Sequence, residues 1–200
     1  MRGIAKKTGV VLITVLALAQ PVGAARGAGE GLHLPLALPE LPPGAPCPVS
    51  PVDERVDWGR IGIFGRSGTG PGPVYPGLGG SDPPGQILAR RDGPADPWFG
   101  TKVFWYVKPS YRGPALIRGR RLDGPGSLRF ELPLQRGGPS RDLRVTRFRE
   151  EDRQWRPPGA RGRPSGVYIR SPGCYGVQID GTRFSRAVVF TALTETSPRG

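Results

Sequence analysis

The chain has 200 residues with 32 glycines and 25 prolines, and 29 lysines and arginines against 16 acids give a net charge of +13. His33, the single histidine, lies in a proline-rich stretch, which excludes Ser-His-Asp and Cys-His catalysis and a histidine-based zinc site in the folded domain. The arginines are scattered without a nucleic-acid-binding motif, so we interpret the charge as solvated surface and predict no nucleic-acid partner.

The first 24 residues have the pattern of a cleavable signal peptide. Arg2, Lys6 and Lys7 form a positive segment, an apolar run follows over residues 9–19, and small residues lead to Ala24, where we predict cleavage. The run is shorter than the about 20 apolar residues that a transmembrane helix needs. We therefore expect a secreted, extracytoplasmic protein with no transmembrane segment after cleavage. A retained N-terminal anchor is the alternative.

Residues 25–46 are rich in proline and glycine. Proline lacks a backbone N–H and fixes φ, so this density is incompatible with a helix interior or a sheet ladder. We predict a disordered, extended tether here, followed by one domain over residues 47–195 and a disordered tail over residues 196–200.

Short apolar runs between glycines and prolines fill the domain, a pattern typical of β-strands. Two stretches richer in glycine, proline and charge, residues 65–85 and 149–164, predict long surface loops. The predicted strands cover residues 60–64, 86–90, 101–108, 114–120, 127–132, 143–148, 166–170, 175–180 and 183–193.

Two segments define the predicted architecture. Residues 103–107 are apolar at every position, which predicts a central strand covered on both faces. Residues 174–193 predict a terminal hairpin with its tight turn at Asp180-Gly181. Together the segments predict an all-β fold, an immunoglobulin-like β-sandwich, with an open barrel as the alternative. The expected core contains Trp105, Val107, Ile117, Phe130, Val177, Ile179 and Phe190.

Cys47 and Cys174 are the two cysteines of the chain. In an exported protein an even pair predicts a disulfide, and two cysteines allow one connectivity. This disulfide would tie the start of the domain to a strand near its end.

The sequence has no motif that predicts a catalytic site, and we predict no cofactor and no metal. The glycine-rich residues 65–70 lack the Lys-Ser/Thr ending of a phosphate loop. Arginines flank the acidic triplet at residues 150–152, which favours surface charge over a calcium site. Aromatic side chains near loops could form a carbohydrate-binding platform, or could pack over the ends of the sandwich. They are Trp58, Tyr75, Trp98, Tyr111 and Trp155.

Three segments resemble a family of uncharacterised bacterial exported proteins and lipoproteins. They are Cys-Pro-Val-Ser from Cys47, Gly-Arg-Arg-Leu-Asp-Gly over residues 119–124, and the stretch over residues 165–175 that ends Pro-Gly-Cys-Tyr. Tyr175 stands where that family usually has Trp, and the tether lacks the lipid-accepting cysteine that many relatives carry. The resemblance implies a shared fold and the Cys47–Cys174 pair, and it implies no activity.

These features predict a non-enzymatic binding or structural module at the cell envelope. Its expected partner is an anionic envelope glycan or another envelope protein, and Arg118, Arg120 and Arg121, beside a strand end, are the candidate contacts for an anionic ligand. Two alternatives stay open. One is a secreted hydrolase or lyase that uses carboxylates on polysaccharide; the other is an accessory domain that docks a membrane protein.

Overall fold

The computed structural model describes residues 32, 34–42, 44–61, 66–79, 83–91, 96–133, 138–145 and 161–196. The predicted signal peptide, the acidic triplet at residues 150–152 and residues 197–200 lie outside these ranges. Within them, no helix is long and apolar enough to cross a membrane.

Strands dominate the described chain, and they are accompanied by one short helix, α1, over Trp58–Ile61. In chain order the strands are β1 Arg66–Gly68, β2 Val74–Gly79, β3 Gln86–Arg91, β4 Phe99–Val107, β5 Ala115–Arg121, β6 Arg129–Glu131, β7 Asp142–Val145, β8 Arg161–Ile169, β9 Gly173–Gly181 and β10 Phe184–Thr196.

The strands form one continuous sheet that folds into two halves. The order along the main path is β1-β2-β4-β3-β10-β9-β5-β7, and β8 and then β6 extend from the other edge of β4. The halves join where Arg90 of β3 pairs with Gly100 of β4. Strand β3 is parallel to β10, whereas the other pairs are antiparallel. Backbone hydrogen bonds between Phe130 and Ser140, at 2.8 and 2.7 Å, also connect β6 to the chain that enters β7.

Both halves bury their inward side chains in a shared core, which makes the fold all-β and sandwich-like. Packing of two apolar sheet faces removes both from water, the main driving force for such folds. The core contains all seven residues predicted for it: Trp105, Val107, Ile117, Phe130, Val177, Ile179 and Phe190. The immunoglobulin-like connectivity stays a prediction.

Strand β4 is covered on both faces, as its uninterrupted apolar run predicts. Val103, Trp105 and Val107 point into the shared core. Tyr106, from the opposite face, packs with Tyr75 and Ile61 in a second cluster. The buried indole N–H of Trp105 donates to the Ser165 hydroxyl at 2.8 Å, so the largest core side chain leaves no polar atom unpaired.

The prediction of a strand over residues 60–64 is wrong at its start, where α1 lies. The Asp57 carboxylate accepts a hydrogen bond from the backbone N–H of Arg60 at 3.1 Å and so caps the helix. Ile61 is the buried residue of α1 and packs in the second cluster. Residues 62–65 lie outside the described ranges.

The prediction of a surface loop over residues 65–85 is also wrong, because β1 and β2 form within it. Val74, Tyr75 and Leu78 of β2 are buried. Gly68 of β1 lets the Trp58 ring lie close to the strand, because a β-carbon on Gly68 would lie 2.0 Å from that ring. In the second predicted loop, residues 161–164 belong to β8, and residues 149–160 lie outside the described part of the chain.

The terminal hairpin is confirmed, but its turn is not Asp180-Gly181. Gly181 pairs with Phe184, so Thr182 and Arg183 make the turn. Asp180 belongs to β9 and is fully buried, with a carboxylate that accepts hydrogen bonds from neighbouring side chains. Those bonds hold it in the sheet, against its local preference for turns.

The predicted disulfide is confirmed. It joins Cys47 to Cys174 of β9 with an S–S distance of 2.02 Å and a Cα–Cα distance of 5.4 Å, across 127 positions of sequence.

The prediction of a disordered tether is wrong for residues 34–42, here called the strap. The strap lies on the outer face of β5 and β9, where Leu38 packs with Leu122, Cys174 and Val189. The backbone N–H of Leu41 donates to the Leu122 carbonyl at 3.2 Å. A proline-rich chain cannot form a ladder, but its carbonyls still accept hydrogen bonds, and here side chains of the sheet supply them.

Candidate functional site

The outer face of β6, β8 and β4 carries a groove. Side chains alternate along strands, and Val103, Phe130 and Val167 point into the core, so their neighbours face outwards. The register places Gly166 of β8 between Lys102 of β4 and Glu131 of β6. The missing side chain at the centre leaves a depression in the sheet surface. The groove has a volume of about 520 Å³, and its lining includes Arg90, Asp96, Trp98, Gly100, Lys102, Glu131 and Tyr168.

Tyr168 lies along the groove because two glycines permit it. A β-carbon on Gly166 would lie 2.6 Å from the Tyr168 ring, and one on Gly100 would lie 2.9 Å from it. Contacts that close would displace the ring, so the glycines let it approach the sheet. The Tyr168 hydroxyl donates to the Glu131 carboxylate, which fixes the direction of both side chains. An aromatic surface therefore lies beside a carboxylate.

Trp98 stands at the same groove with two arginines stacked on its ring. The guanidinium of Arg170 lies 4.7 Å from the ring centroid, and that of Arg129 lies 5.7 Å from it. Both distances are within the range of a cation–π interaction. The Asp96 carboxylate accepts the backbone N–H of Trp98 at 2.9 Å and holds this segment in place.

The side chains of Arg129 and Arg170 make no ion pair or hydrogen bond within the described part of the chain, and the buried Nε of Arg129 has no hydrogen-bond partner. Two guanidiniums with unused donors beside an aromatic ring form a site of positive potential. Carboxylate and phosphate groups match the planar donor geometry of arginine.

The other charges at the groove are partly balanced. Arg90 donates to the Glu195 carboxylate at 2.9 Å, and both side chains are about half exposed, so this pair adds little stability. The groove lining therefore combines aromatic surface with two carboxylates and two cations, Arg90 and Lys102, and the two arginines on the Trp98 ring add positive charge beside it.

The arginines predicted to contact an anionic ligand are engaged within the chain. Arg118 donates to the Leu34 carbonyl and to the Asp180 carboxylate, the latter at 2.6 Å. Arg120 reaches the carbonyls of Leu38 and Pro39 at 3.3 and 3.4 Å. Both arginines therefore hold the strap, a role that sequence position alone could not indicate.

Arg121 also has an internal role. Its guanidinium donates to the Asp123 carboxylate at 2.6 Å and to the Ser171 hydroxyl at 2.9 Å. The Arg121 hydrogen bond lowers the pKa of Asp123, whose carboxylate also accepts the backbone N–H of Cys174 at 3.1 Å. The pair therefore positions the segment that carries the disulfide.

The aromatic residues predicted as a carbohydrate platform are not gathered in one place. Trp58 and Tyr75 pack in the second cluster, Tyr111 is part of the shared core, and Trp155 lies outside the described residues. Of the four that the structure describes, only Trp98 lines the groove. Tyr168 was missed, although its position between the core residues Val167 and Ile169 would have marked it as outward-facing.

Of the remaining sequence motifs, the glycine-rich segment contributes a strand, and the acidic triplet at residues 150–152 lies outside the described residues. Residues 66–68 of the glycine-rich segment form β1. Among the described residues, no group of three or more His, Cys, Asp or Glu is placed to hold a metal ion.

Asp53 is a buried carboxylate outside the groove. It accepts hydrogen bonds from Arg55 at 2.7 Å, from the Tyr75 hydroxyl at 2.7 Å and from Lys108 at 3.3 Å. The Arg55 hydrogen bond is the main reason that its pKa lies well below the ordinary range. Burial and the hydrogen bond to Asp53 raise the pKa of Tyr75. A carboxylate held ionised by three donors is a structural anchor, because it cannot act as a proton donor near neutral pH.

We expect Asp53→Asn to lower the free energy of unfolding by about 1–3 kcal/mol near neutral pH, because buried donors lose an ionised acceptor. The pKa of Asp53 is lower in the folded protein than its ordinary value of 3.8, so the ionised carboxylate stabilises the protein at pH values above 3.8. This contribution is lost progressively as the pH falls below 3.8. Urea denaturation between about pH 7 and about pH 2.5 should therefore show the two proteins converging in acid. A difference that stays constant with pH would contradict this role.

The fold and the groove define an all-β, sandwich-like domain closed by one disulfide, with an aromatic and cationic groove on its outer face. Comparison of the chain with protein-family models, curated proteins and solved structures finds no significant match. The resemblance to bacterial exported proteins therefore stays a prediction from its motifs, and a function has to be inferred from the groove itself.

Proposed function

We propose that this protein is a non-enzymatic binding module of the cell envelope that holds an acidic glycan in the Trp98 groove. The observation that carries the proposal is the pair of arginines, Arg129 and Arg170, stacked on Trp98 without a carboxylate partner in the described chain. A sugar ring stacks on an aromatic face through its C–H surface, and the acidic group of the sugar pairs with a guanidinium. Tyr168 extends the aromatic surface along the groove.

We further infer that the protein is exported and that its signal peptide is cleaved near Ala24. The disulfide supports this location, since disulfides persist in oxidising compartments outside the cytosol. An acidic envelope polymer would be accessible to the groove there. Cleavage removes Arg2, Lys6 and Lys7 and lowers the net charge from +13 to +10, and this positive charge would also raise the local concentration of such a polymer around the protein.

The proposal predicts that Trp98→Ala weakens binding to an acidic polysaccharide. With polygalacturonate as the probe and titration calorimetry as the measurement, we expect a loss of affinity of about two- to thirtyfold, because stacking on an aromatic ring is worth about 0.5–2 kcal/mol. The neutral polymer dextran should bind much more weakly to the wild type. Binding of both polymers with equal affinity would contradict an acidic ligand.

The arginine pair needs a control for net charge, since any basic protein attracts a polyanion. We expect the double variant Arg129→Gln with Arg170→Gln to lose affinity by tenfold or more, because each lost charge-assisted contact is worth about 1.5–3 kcal/mol. The matched double variant Arg112→Gln with Arg183→Gln removes the same charge from exposed positions elsewhere. Equal losses in the two double variants would mean that the groove is not the site.

The alternative of a secreted hydrolase or lyase has one observation in its favour, because Asp96 and Glu131 line the same groove. Each carboxylate already accepts a hydrogen bond, from the backbone of Trp98 and from Tyr168 respectively. A reducing-end assay on the same polysaccharide separates the two functions. Product release that Glu131→Gln abolishes would establish the enzyme and overturn the binding module.

A further inference from the structure

The outer face of β5 and β9 contacts the backbone of the strap more than its side chains. Gln178, which is 2% exposed, donates from its amide to the Pro35 carbonyl at 3.1 Å. The carbonyl oxygen of the same side chain accepts the backbone N–H of Ala37 at 2.6 Å. One buried amide thus binds an acceptor and a donor of an extended chain two residues apart. Arg118 and Arg120 bind further carbonyls, those of Leu34 and Leu38.

The binding side chains are held in place from beneath. Asp180, which is 0% exposed, accepts hydrogen bonds from Gln178 at 2.9 Å, from Arg118 at 2.6 Å and from the Ser185 hydroxyl at 2.6 Å. This network fixes the directions of Gln178 and Arg118 before a chain binds. Such preorganisation reduces the entropy that binding costs and is typical of a recognition site.

Leu38 is the main apolar anchor of the strap. It packs on Leu122 and Val189, and a β-carbon on Gly176 would lie 3.3 Å from its side chain, so the glycine makes room for it. Leu34 and Leu36 are 40% and 39% exposed and contribute little apolar burial. Leu41 packs against the same cluster. The face therefore requires an extended backbone and apolar side chains at positions 38 and 41, and it leaves positions 34 and 36 free to vary.

The strap does not use every donor that the face offers. The buried Nε of Arg118 has no hydrogen-bond partner in the described chain. One terminal nitrogen of Arg120 is shared among three acceptors of the strap at 3.3–3.5 Å, the last of them the Glu40 carboxylate. These long, shared bonds are weaker than the bonds to Gln178.

We propose that this face is a docking site for an extended, proline-containing segment of another protein, and that the strap is its intramolecular occupant. A partner segment would place an apolar side chain in the Leu38 position and an acidic residue near Arg120, as Glu40 does now. Proline suits the site because the hydrogen bonds go mostly to carbonyls, which proline retains. The site is distinct from the Trp98 groove and does not depend on glycan binding.

The test opens the site without removing any part of the protein. A protease site is inserted between Gly44 and Ala45 of the full chain and cut, so that residues 1–44 are no longer covalently linked. A fluorescent peptide of residues 32–42 is then titrated, with anisotropy as the measurement. We expect saturable binding to the cut protein and at least about tenfold weaker binding to the uncut protein, in which the tethered strap competes at high effective concentration.

Three controls test how the peptide is recognised. Methylation of the peptide nitrogen at Ala37 removes the donor to Gln178 and should weaken binding at least tenfold. Gln178→Ala in the cut protein should have a similar effect, whereas Gln86→Ala on β3 should have none. A second peptide keeps the prolines, the acidic residue and the leucines at positions 32, 38 and 41, which are buried or packed in the protein. It changes all other side chains, and it should bind within tenfold of the first.

Three results would overturn the proposal. A cut protein that loses its strand signal in circular dichroism would show the strap to be part of the fold. An intact cut protein that binds neither peptide would show that the strap does not exchange. Binding of the native strap sequence alone would restrict the site to an intramolecular contact.

Discussion

Replacement of both Cys47 and Cys174 by serine is expected to lower the free energy of unfolding by about 4–5 kcal/mol, the largest effect of any change considered. The disulfide spans 127 positions, so its loss greatly increases the number of conformations open to the unfolded chain. Domains of this size are commonly stable by only about 5–15 kcal/mol, so the variant should be close to the unfolding threshold at ordinary temperatures.

Urea denaturation of the oxidised wild type and of the double serine variant measures this difference, with the unfolding midpoint and slope fitted together. The wild type in the presence of dithiothreitol should match the variant, and the variant should not respond to the reductant. Free energies of unfolding that differ by less than about 1 kcal/mol would mean that strain in the native state offsets the entropic gain.

Asp180→Ala is expected to lower the free energy of unfolding by about 3–5 kcal/mol, the usual result of removing one member of a buried, hydrogen-bonded charge network. The change would leave the donors of Arg118, Gln178 and Ser185 without their common acceptor. Arg118 and Gln178 also hold the strap. We therefore expect its backbone amides, at Ala37 and Leu41, to exchange hydrogen with solvent much faster in the variant.

Thermal and urea denaturation give the stability change, and hydrogen exchange detected by mass spectrometry gives the effect on residues 34–42. Asp142→Ala is the matched control, since Asp142 is exposed and has one side-chain partner at 3.0 Å; we expect it to change stability by less than about 0.5 kcal/mol. Loss of stability without faster hydrogen exchange in the strap would show that the hydrogen bonds of Asp180 do not hold the strap in place.

Apolar patterning predicted the strands that carry a continuous run or a clear alternation. The segment over residues 103–107 could only be a strand covered on both faces, and β4 is covered by the shared core and the second cluster. The alternation in residues 175–179 likewise predicted β9. Such patterns predict strands correctly because successive side chains of a strand point to opposite faces, so the period of two residues is visible in the sequence.

Local patterns were misleading where tertiary contacts overrule them. Residues 74–79 contain proline and glycine, but Tyr75 and Leu78 are buried, and these contacts make the segment a strand. Asp180-Gly181 has the composition of a tight turn, but three donors from other positions hold Asp180 in β9. Gln178 and Ser185 lie within five positions of Asp180, but the charged donor Arg118 is 62 positions away, and local composition cannot indicate it.

The arginines of the groove and of the strap face show the same difference between what the sequence indicates and what tertiary contacts decide. A surplus of arginine is visible in the sequence, but the partner of each arginine is not. Arg118 binds Asp180, 62 positions away, whereas Arg129 has no carboxylate partner in the described chain and stacks on Trp98. Which arginines are available for a ligand depends on cross-strand register, and register joins residues that are distant in sequence.

The sequence alone determined the all-β class, the pairing of the two cysteines and the residues of the core, because apolar periodicity and a single possible connectivity depend on no distant partner. The tertiary structure decided the order of the strands, the docking of the strap, the placement of Trp98 and Tyr168 in one groove and the stacking of Arg129 and Arg170 on the Trp98 ring. These features arise from hydrogen bonds and packing between segments far apart in the chain, and such contacts exist only when the sheet has formed.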